Sequence, residues 1–160
     1  SEDIDIYIKK DIKKIIFLFS QLEKRGFKTE KMKIGENSLF SKLVFERVKV
    51  SLEAIFKKVK GSLKEYECVD GNLMTIYTLT PEEIIKEKMA AYTNRRKIRD
   101  LYDVFYMLRF VKEWPPIKKA LVLFLRDLKE PIDEPELKVL ILEGPTPTNV
   151  EMIEYLKRCL

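Results

Sequence analysis

The hydrophobic period of this chain changes once, at Thr80. Before it, apolar residues alternate with polar ones or run in short blocks, the pattern of strands, with one helical stretch over 9–25. After it, apolar residues recur at three- and four-residue spacing, the pattern of helices. Strands gathered in one half and helices in the other constrain the chain to an α+β fold. The division falls between 1–79 and 80–160.

The turning point itself carries the densest information. Residues 80–110 read TPEEIIKEKMAAYTNRRKIRDLYDVFYMLRF. Thr80 suits an N-cap, Pro81 the first helical position, and Glu83 the return arm of a capping box. The apolar stripe then runs Ile84, Ile85, Met89, Tyr92, and Lys88 falls on it. A lysine on a buried stripe either snorkels to water or meets a buried negative partner. A break is expected at Thr93-Asn94, followed by a basic patch of Arg95, Arg96, Lys97 and Arg99. A second helix begins near Ile98, with Leu101, Val104, Phe105 and Leu108 buried. Asp100 and Asp103 lie one turn apart beside that stripe. Two readings stand: they favour the positive helix N-terminus, or they meet Lys88 and Arg99 in a cleft between the two helices.

The 160 residues contain no histidine, which excludes imidazole ligands, imidazole bases and a Ser-His-Asp triad. The two cysteines, Cys68 and Cys159, match neither a disulfide framework nor a zinc spacing. Chemistry is therefore left to carboxylates, lysine, arginine, hydroxyls or an added metal. A net charge of +5 permits anionic partners such as nucleotides or nucleic acid. No apolar run reaches membrane-spanning length and no signal peptide is visible, so the expected location is the cytoplasm, with no membrane partner. The chain opens without methionine and directly inside a strand pattern. Further residues are expected upstream of Ser1.

That opening strand, DIDIYI over 3–8, puts Ile4, Ile6 and Ile8 on one face and Asp3, Asp5 and Tyr7 on the other. Same-face strand neighbours lie about 6.5–7 Å apart, close enough for Asp3 and Asp5 to share a cation. Paired carboxylates of this kind suit Mg²⁺, whose other ligands are water and substrate phosphates. A solvated acidic face is the simpler reading, although Asp is disfavoured in strands. Strands are further expected over 27–34, 39–45, 47–55, 63–68 and 74–79, the last two joined by an Asp70-Gly71-Asn72 turn. Glu53 becomes a third carboxylate beside Asp3 and Asp5 if the first strand and the 47–55 strand are neighbours; otherwise it lies on an exposed face. Trp114-Pro115-Pro116 is expected to break the chain before a helix over 117–128. A linker over 131–135, a short apolar stretch and a last helix capped by Thr148 or Asn149 follow.

Two separated segments resemble one family. SEDIDIYI is similar to the Ser/Thr-x-Asp-Ile-Asp strand of DNA polymerase β-type nucleotidyltransferases. PEEIIKEKMAAYTNRRKIRDLYDVFYML resembles the second signature of the AbiEii toxin family within that superfamily, with its Pro-Glu-Glu start, Lys-x-x-Ala step, basic turn and Arg-Asp-x-x-Asp. The resemblance covers roughly residues 1–110. It implies a nucleotidyltransferase-like mixed β-sheet with packed helices, followed by a C-terminal helical bundle. It implies transfer of a nucleotide from an NTP to an acceptor such as tRNA, by the toxin of a toxin–antitoxin pair with an antitoxin protein as partner. In such a site Asp3 and Asp5 bind Mg²⁺, with Glu53 as a further metal ligand. Lys88, Arg96 and Arg99 contact the nucleotide, and Asp100 and Asp103 complete the catalytic set. The family's glycine-rich phosphate loop is expected upstream of Ser1. Its third acid falls at Ser51, with Glu53 on the same face as substitute. A second implication is a catalytically degenerate relative that binds RNA or protein through the 95–99 basic patch. A DxD glycosyltransferase is a further reading of the first strand, but it leaves Lys88, Asp100 and Asp103 unexplained.

Overall fold

The computed structural model describes residues 3–160. Ser1 and Glu2, which begin the opening motif, lie outside the described residues. The chain forms two compact units, Ser1–Val59 and Lys60–Leu160. Where the sequence suggested a division at 79/80, compactness changes at 59/60, and the hairpin over 61–79 belongs with the helices.

The first unit is a four-stranded sheet with one helix. Strands β1 (Asp3–Ile8), β2 (Phe27–Ile34), β3 (Ser38–Phe45) and β4 (Val48–Phe56) are ordered β1-β4-β3-β2. β1 runs parallel to β4 and the other pairs are antiparallel, so the sheet is mixed. Helix α1 (Ile12–Lys24) starts three residues inside the expected range because Asp11 caps it, its carboxylate accepting from the Lys14 amide at 3.1 Å. Gly26, at φ 94°, ends it in the left-handed conformation that glycine adopts without strain. Ile15 and Phe19 of α1 bury against Leu39, Leu43, Leu52 and Ala54 of β3 and β4.

In the second unit, β5 (Gly61–Glu67) and β6 (Leu73–Leu79) form an antiparallel hairpin. Helix α2 (Pro81–Arg95) follows, capped by Thr80, whose hydroxyl accepts from the Glu83 amide. α2 does not break at Thr93-Asn94. The Thr93 hydroxyl donates to the Met89 carbonyl at 2.9 Å, so this polar side chain is satisfied within the helix. The break comes at Arg96, a left-handed residue with φ 52°. Helix α3 (Ile98–Met107) and a 3₁₀ turn (Leu108–Phe110) come next. Trp114-Pro115-Pro116, expected as a breaker, instead opens helix α4 (Trp114–Arg126). In a first turn the missing proline N–H groups have no intrahelical partner to lose. Beyond a 3₁₀ turn (Glu134–Glu136) lie the short α5 (Leu137–Leu140) and α6 (Asn149–Arg158), the latter closed by a Thr148–Glu151 capping box. Ile85, Tyr92, Ile98, Leu101, Ile117, Leu121, Met152 and Leu156 form the centre of this unit's core. Among the described residues no helix is long and apolar enough to cross a membrane.

Candidate functional site

Each unit carries one set of the residues marked out by sequence. In the first, the parallel pairing of β1 and β4 sets Asp3 beside Ser51 and Asp5 beside Glu53. Ile4 pairs with Leu52 and Ile6 with Ala54 on the opposite, core-facing side. The neighbour condition on Glu53 is therefore met: Asp3, Asp5, Ser51 and Glu53 share one sheet face. Asp3, Asp5 and Glu53 are exposed, so their oxygens are accessible to an ion or ligand. Among the described residues no three histidine, cysteine or carboxylate side chains are arranged as a ready-made metal cage. Mg²⁺ does not require one, since it is commonly held through one or two carboxylates plus substrate phosphates. The hard oxygen donors on this face suit that ion.

In the second unit, α2 and α3 bring four charged residues together. Asp100 is fully buried. Arg95 closes on it with two parallel bonds, Nε to Oδ2 and an Nη to Oδ1, both 2.7 Å. Such fork-on-fork geometry fixes orientation as well as charge, and the bonds to Asp100 push the Arg95 guanidinium above its ordinary pKa. Lys88 Nζ lies 2.5 Å from Asp103 and 3.9 Å from Asp100. Its side chain keeps 35% of its surface exposed, and that of Asp103 keeps 38%. Lys88 thus takes both sequence alternatives at once: its stem lies on the stripe, its ammonium meets acids, and its side chain is still partly exposed. An ammonium has three donors, so the cluster can hold Lys88 in place and still present it to an anion.

The expected partner Arg99 is not in this cluster. Its side chain is exposed, and its guanidinium has no ion pair among the described residues. Helical geometry explains the correction: Arg99 immediately precedes Asp100 and projects from a different side of α3, whereas Arg95 at the end of α2 faces back toward it. Arg96 is half-buried in the left-handed turn. Its carbonyl accepts from the Ile132 amide at 3.0 Å, and its Nε is buried with no partner among the described residues.

Asp133 was not foreseen. It is buried and accepts from the Ile98 amide at 2.7 Å, capping α3 from 35 residues away. Lys97 also reaches it, at 3.2 Å. Burial opposes its charge, yet the Ile98 amide and Lys97 prevail and hold its carboxyl below the usual range. No local signal could have found it: the N-cap position of α3 is Lys97, which makes no side-chain capping bond, and the cap comes from far along the chain. Tyr92 closes the same corner, donating to the Lys129 carbonyl at 2.7 Å. Burial, reinforced by nearby Glu130, pushes its phenol up to about 12, so it stays a donor at any physiological pH.

No curated protein matches the chain. Residues 1–155 match the family described as nucleotidyl transferase AbiEii toxin, type IV toxin–antitoxin system. That span takes in both the β1 carboxylates and the whole α2–α3 cluster, and with all but the last five residues inside it, the chain belongs to the AbiEii nucleotidyl transferase toxin family.

Proposed function

We infer that this nucleotidyl transferase moves a nucleotide from an NTP to an RNA acceptor, with tRNA as the first class to test, in a Mg²⁺-dependent reaction restrained in the cell by an antitoxin protein. The observation that carries the reading is Lys88. A partly exposed lysine whose ammonium is held by Asp103 and buried Asp100 is a fixed positive group available to an anionic substrate. Lys88 binds triphosphate oxygens and offsets the negative charge that grows on them as pyrophosphate leaves. Asp100 and Arg95 hold the end of α2 against α3, and so keep Lys88 from swinging away. Exposed Arg99 and half-buried Arg96 add positive field for the nucleotide. Asp3, Asp5 and Glu53 would hold the metal on the β1–β4 face. When bound there, Mg²⁺ supplies charge neutralisation to the transferred phosphoryl group and acidity to the attacking hydroxyl.

The degenerate-binder reading drew on the 95–99 patch. Arg95 is committed to Asp100 and Lys97 to Asp133, which leaves Arg96 and Arg99 of that patch without an ion pair among the described residues.

The test is label transfer from each of the four α-³²P-labelled NTPs to total tRNA with Mg²⁺, using the full natural chain. Wild type labels RNA with one preferred nucleotide. Asp5→Asn abolishes transfer while folding normally; retained transfer in that variant removes the metal role. Lys88→Ala weakens NTP binding at least tenfold, and an unchanged affinity would take Lys88 out of the site.

A further inference from the structure

The second unit contains a cavity of about 440 Å³ where β5, the start of α2 and the segment after α3 meet, and Lys88 does not line it. That volume falls in the range of about 300–1,000 Å³ typical of small-ligand sites. Its walls include Lys60, Lys64, Arg109 and Lys112, with Phe110 beside them. Two acids also line it, and neither is free to neutralise all four cations. Glu113 pairs with Lys60 at 3.2 Å. Glu82 is turned to the backbone, accepting from the Lys112 amide at 2.7 Å and the Glu113 amide at 3.1 Å. Lys64, Arg109 and Lys112 have no carboxylate partner among the described residues.

Arg109 is also positioned. Its guanidinium lies 5.2 Å from the centre of the Phe105 ring and 5.3 Å from that of Tyr106. Stacking on two rings holds a cation in place without consuming its hydrogen-bond donors. Phe110 follows directly and leaves 48% of its surface exposed. On β5, Ser62 and Lys64 alternate onto one face and line the cavity, with Lys60 just before the strand. Three cations without a carboxylate partner, Lys64, Arg109 and Lys112, beside an exposed ring combine the two elements that bind single-stranded nucleic acid: charge for the backbone and a platform for a base.

We propose that this cavity is a docking subsite for a single-stranded segment of the RNA acceptor, its phosphates on Lys64, Arg109 and Lys112 and one base on Phe110. The assignment rests on the RNA-acceptor reading above, and goes beyond it by placing RNA contacts on residues outside the Lys88 cluster.

The test is binding of fluorescent tRNA and of a short single-stranded RNA to the full natural chain across a salt series. NTP binding and urea unfolding are measured in parallel. The triple variant Lys64→Gln/Arg109→Gln/Lys112→Gln is expected to bind RNA at least tenfold more weakly, with a log K against log salt slope shallower by about 2, the loss of three single-strand phosphate contacts. Phe110→Ala is expected to cost about tenfold with the salt slope unchanged. NTP binding and unfolding stay as in wild type. Because Arg109 stacks on its own helix, Lys64→Gln/Lys112→Gln is run alongside, with the same direction of effect expected. If the variants bind RNA as wild type does, the subsite is overturned and the RNA-acceptor reading stands. If they lose NTP binding but keep RNA, the cavity is a nucleotide site and the proposal fails. If wild type binds no RNA, the acceptor reading and the subsite fall together.

Discussion

At the scale of single residues, burial separates support from contact. Asp100 is fully buried and holds Arg95 and Lys88, so its removal leaves two cations facing a dry gap. Asp100→Ala is expected to cost about 3 kcal/mol in urea unfolding, the low end for a broken buried pair because both cations reach water. Lys88→Ala should cost under about 1 kcal/mol, since a partly exposed ion pair contributes little. Equal losses from the two would contradict this division. Glu82 makes a pH prediction. Burial works against its charge, but the amides of Lys112 and Glu113, its own amide and the Thr80 hydroxyl outweigh that and hold its carboxyl down to about 2, against an ordinary 4.5. A depressed carboxyl stabilises the fold above its unfolded value and loses that contribution as pH falls. The stability gap between wild type and Glu82→Gln should thus be constant above about pH 5 and close between 4.5 and 2. Its size is on the order of 1–2 kcal/mol, reduced by water at this partly exposed group. The sequence made Lys88 visible because it interrupts an apolar stripe. Arg95 was hidden: it is one of four cations within five residues, and only the turn at Arg96 decides which of them faces Asp100.

At the scale of elements, the readable boundaries were those closed by their own neighbours. Thr80 and Thr148 cap α2 and α6 through residues three positions on; the first was legible, and the second was one of two candidates with Asn149. α3 has no local cap, and Asp133 serves instead. Asp133→Ala is expected to cost about 2 kcal/mol, combining an empty cap with the lost Lys97 pair, while Asp133→Asn recovers most of the capping share. Amide exchange at Ile98 is the direct readout: unchanged protection in the alanine variant would show that α3 does not depend on this cap. The same locality explains the two misplaced breaks. Thr93-Asn94 and Trp114-Pro115-Pro116 carry breaker residues, but a back-bonded hydroxyl and a first-turn position make each compatible with helix.

At the scale of the whole molecule, the order of strands and helices read correctly as α+β, since it follows from hydrophobic period alone. The grouping of the β5–β6 hairpin did not, because a strand pattern does not say which core it joins. The two units have cores of unequal extent. The first rests on Ile15, Phe19, Leu39, Leu43, Leu52 and Ala54, while the second draws buried residues from five helices and the turn after α3. Small cores supply only about 3–5 kcal/mol. Native-state hydrogen exchange should therefore show β3 and β4 opening at lower free energy than α2, α3 and α6. The reverse order would mean that the sheet is the stronger unit. The cap from Asp133 has one more consequence. The helix pair over 81–108 does not carry the means to hold its own second helix; that comes from Asp133, well beyond it in the chain. The motif is therefore not a portable cassette. A graft of 80–110 onto a foreign scaffold would reproduce every signature residue and still leave Asp100 on a loose helix. A natural homologue that keeps the motif but has drifted at the position of Asp133 must anchor α3 some other way, or lose the fixed lysine.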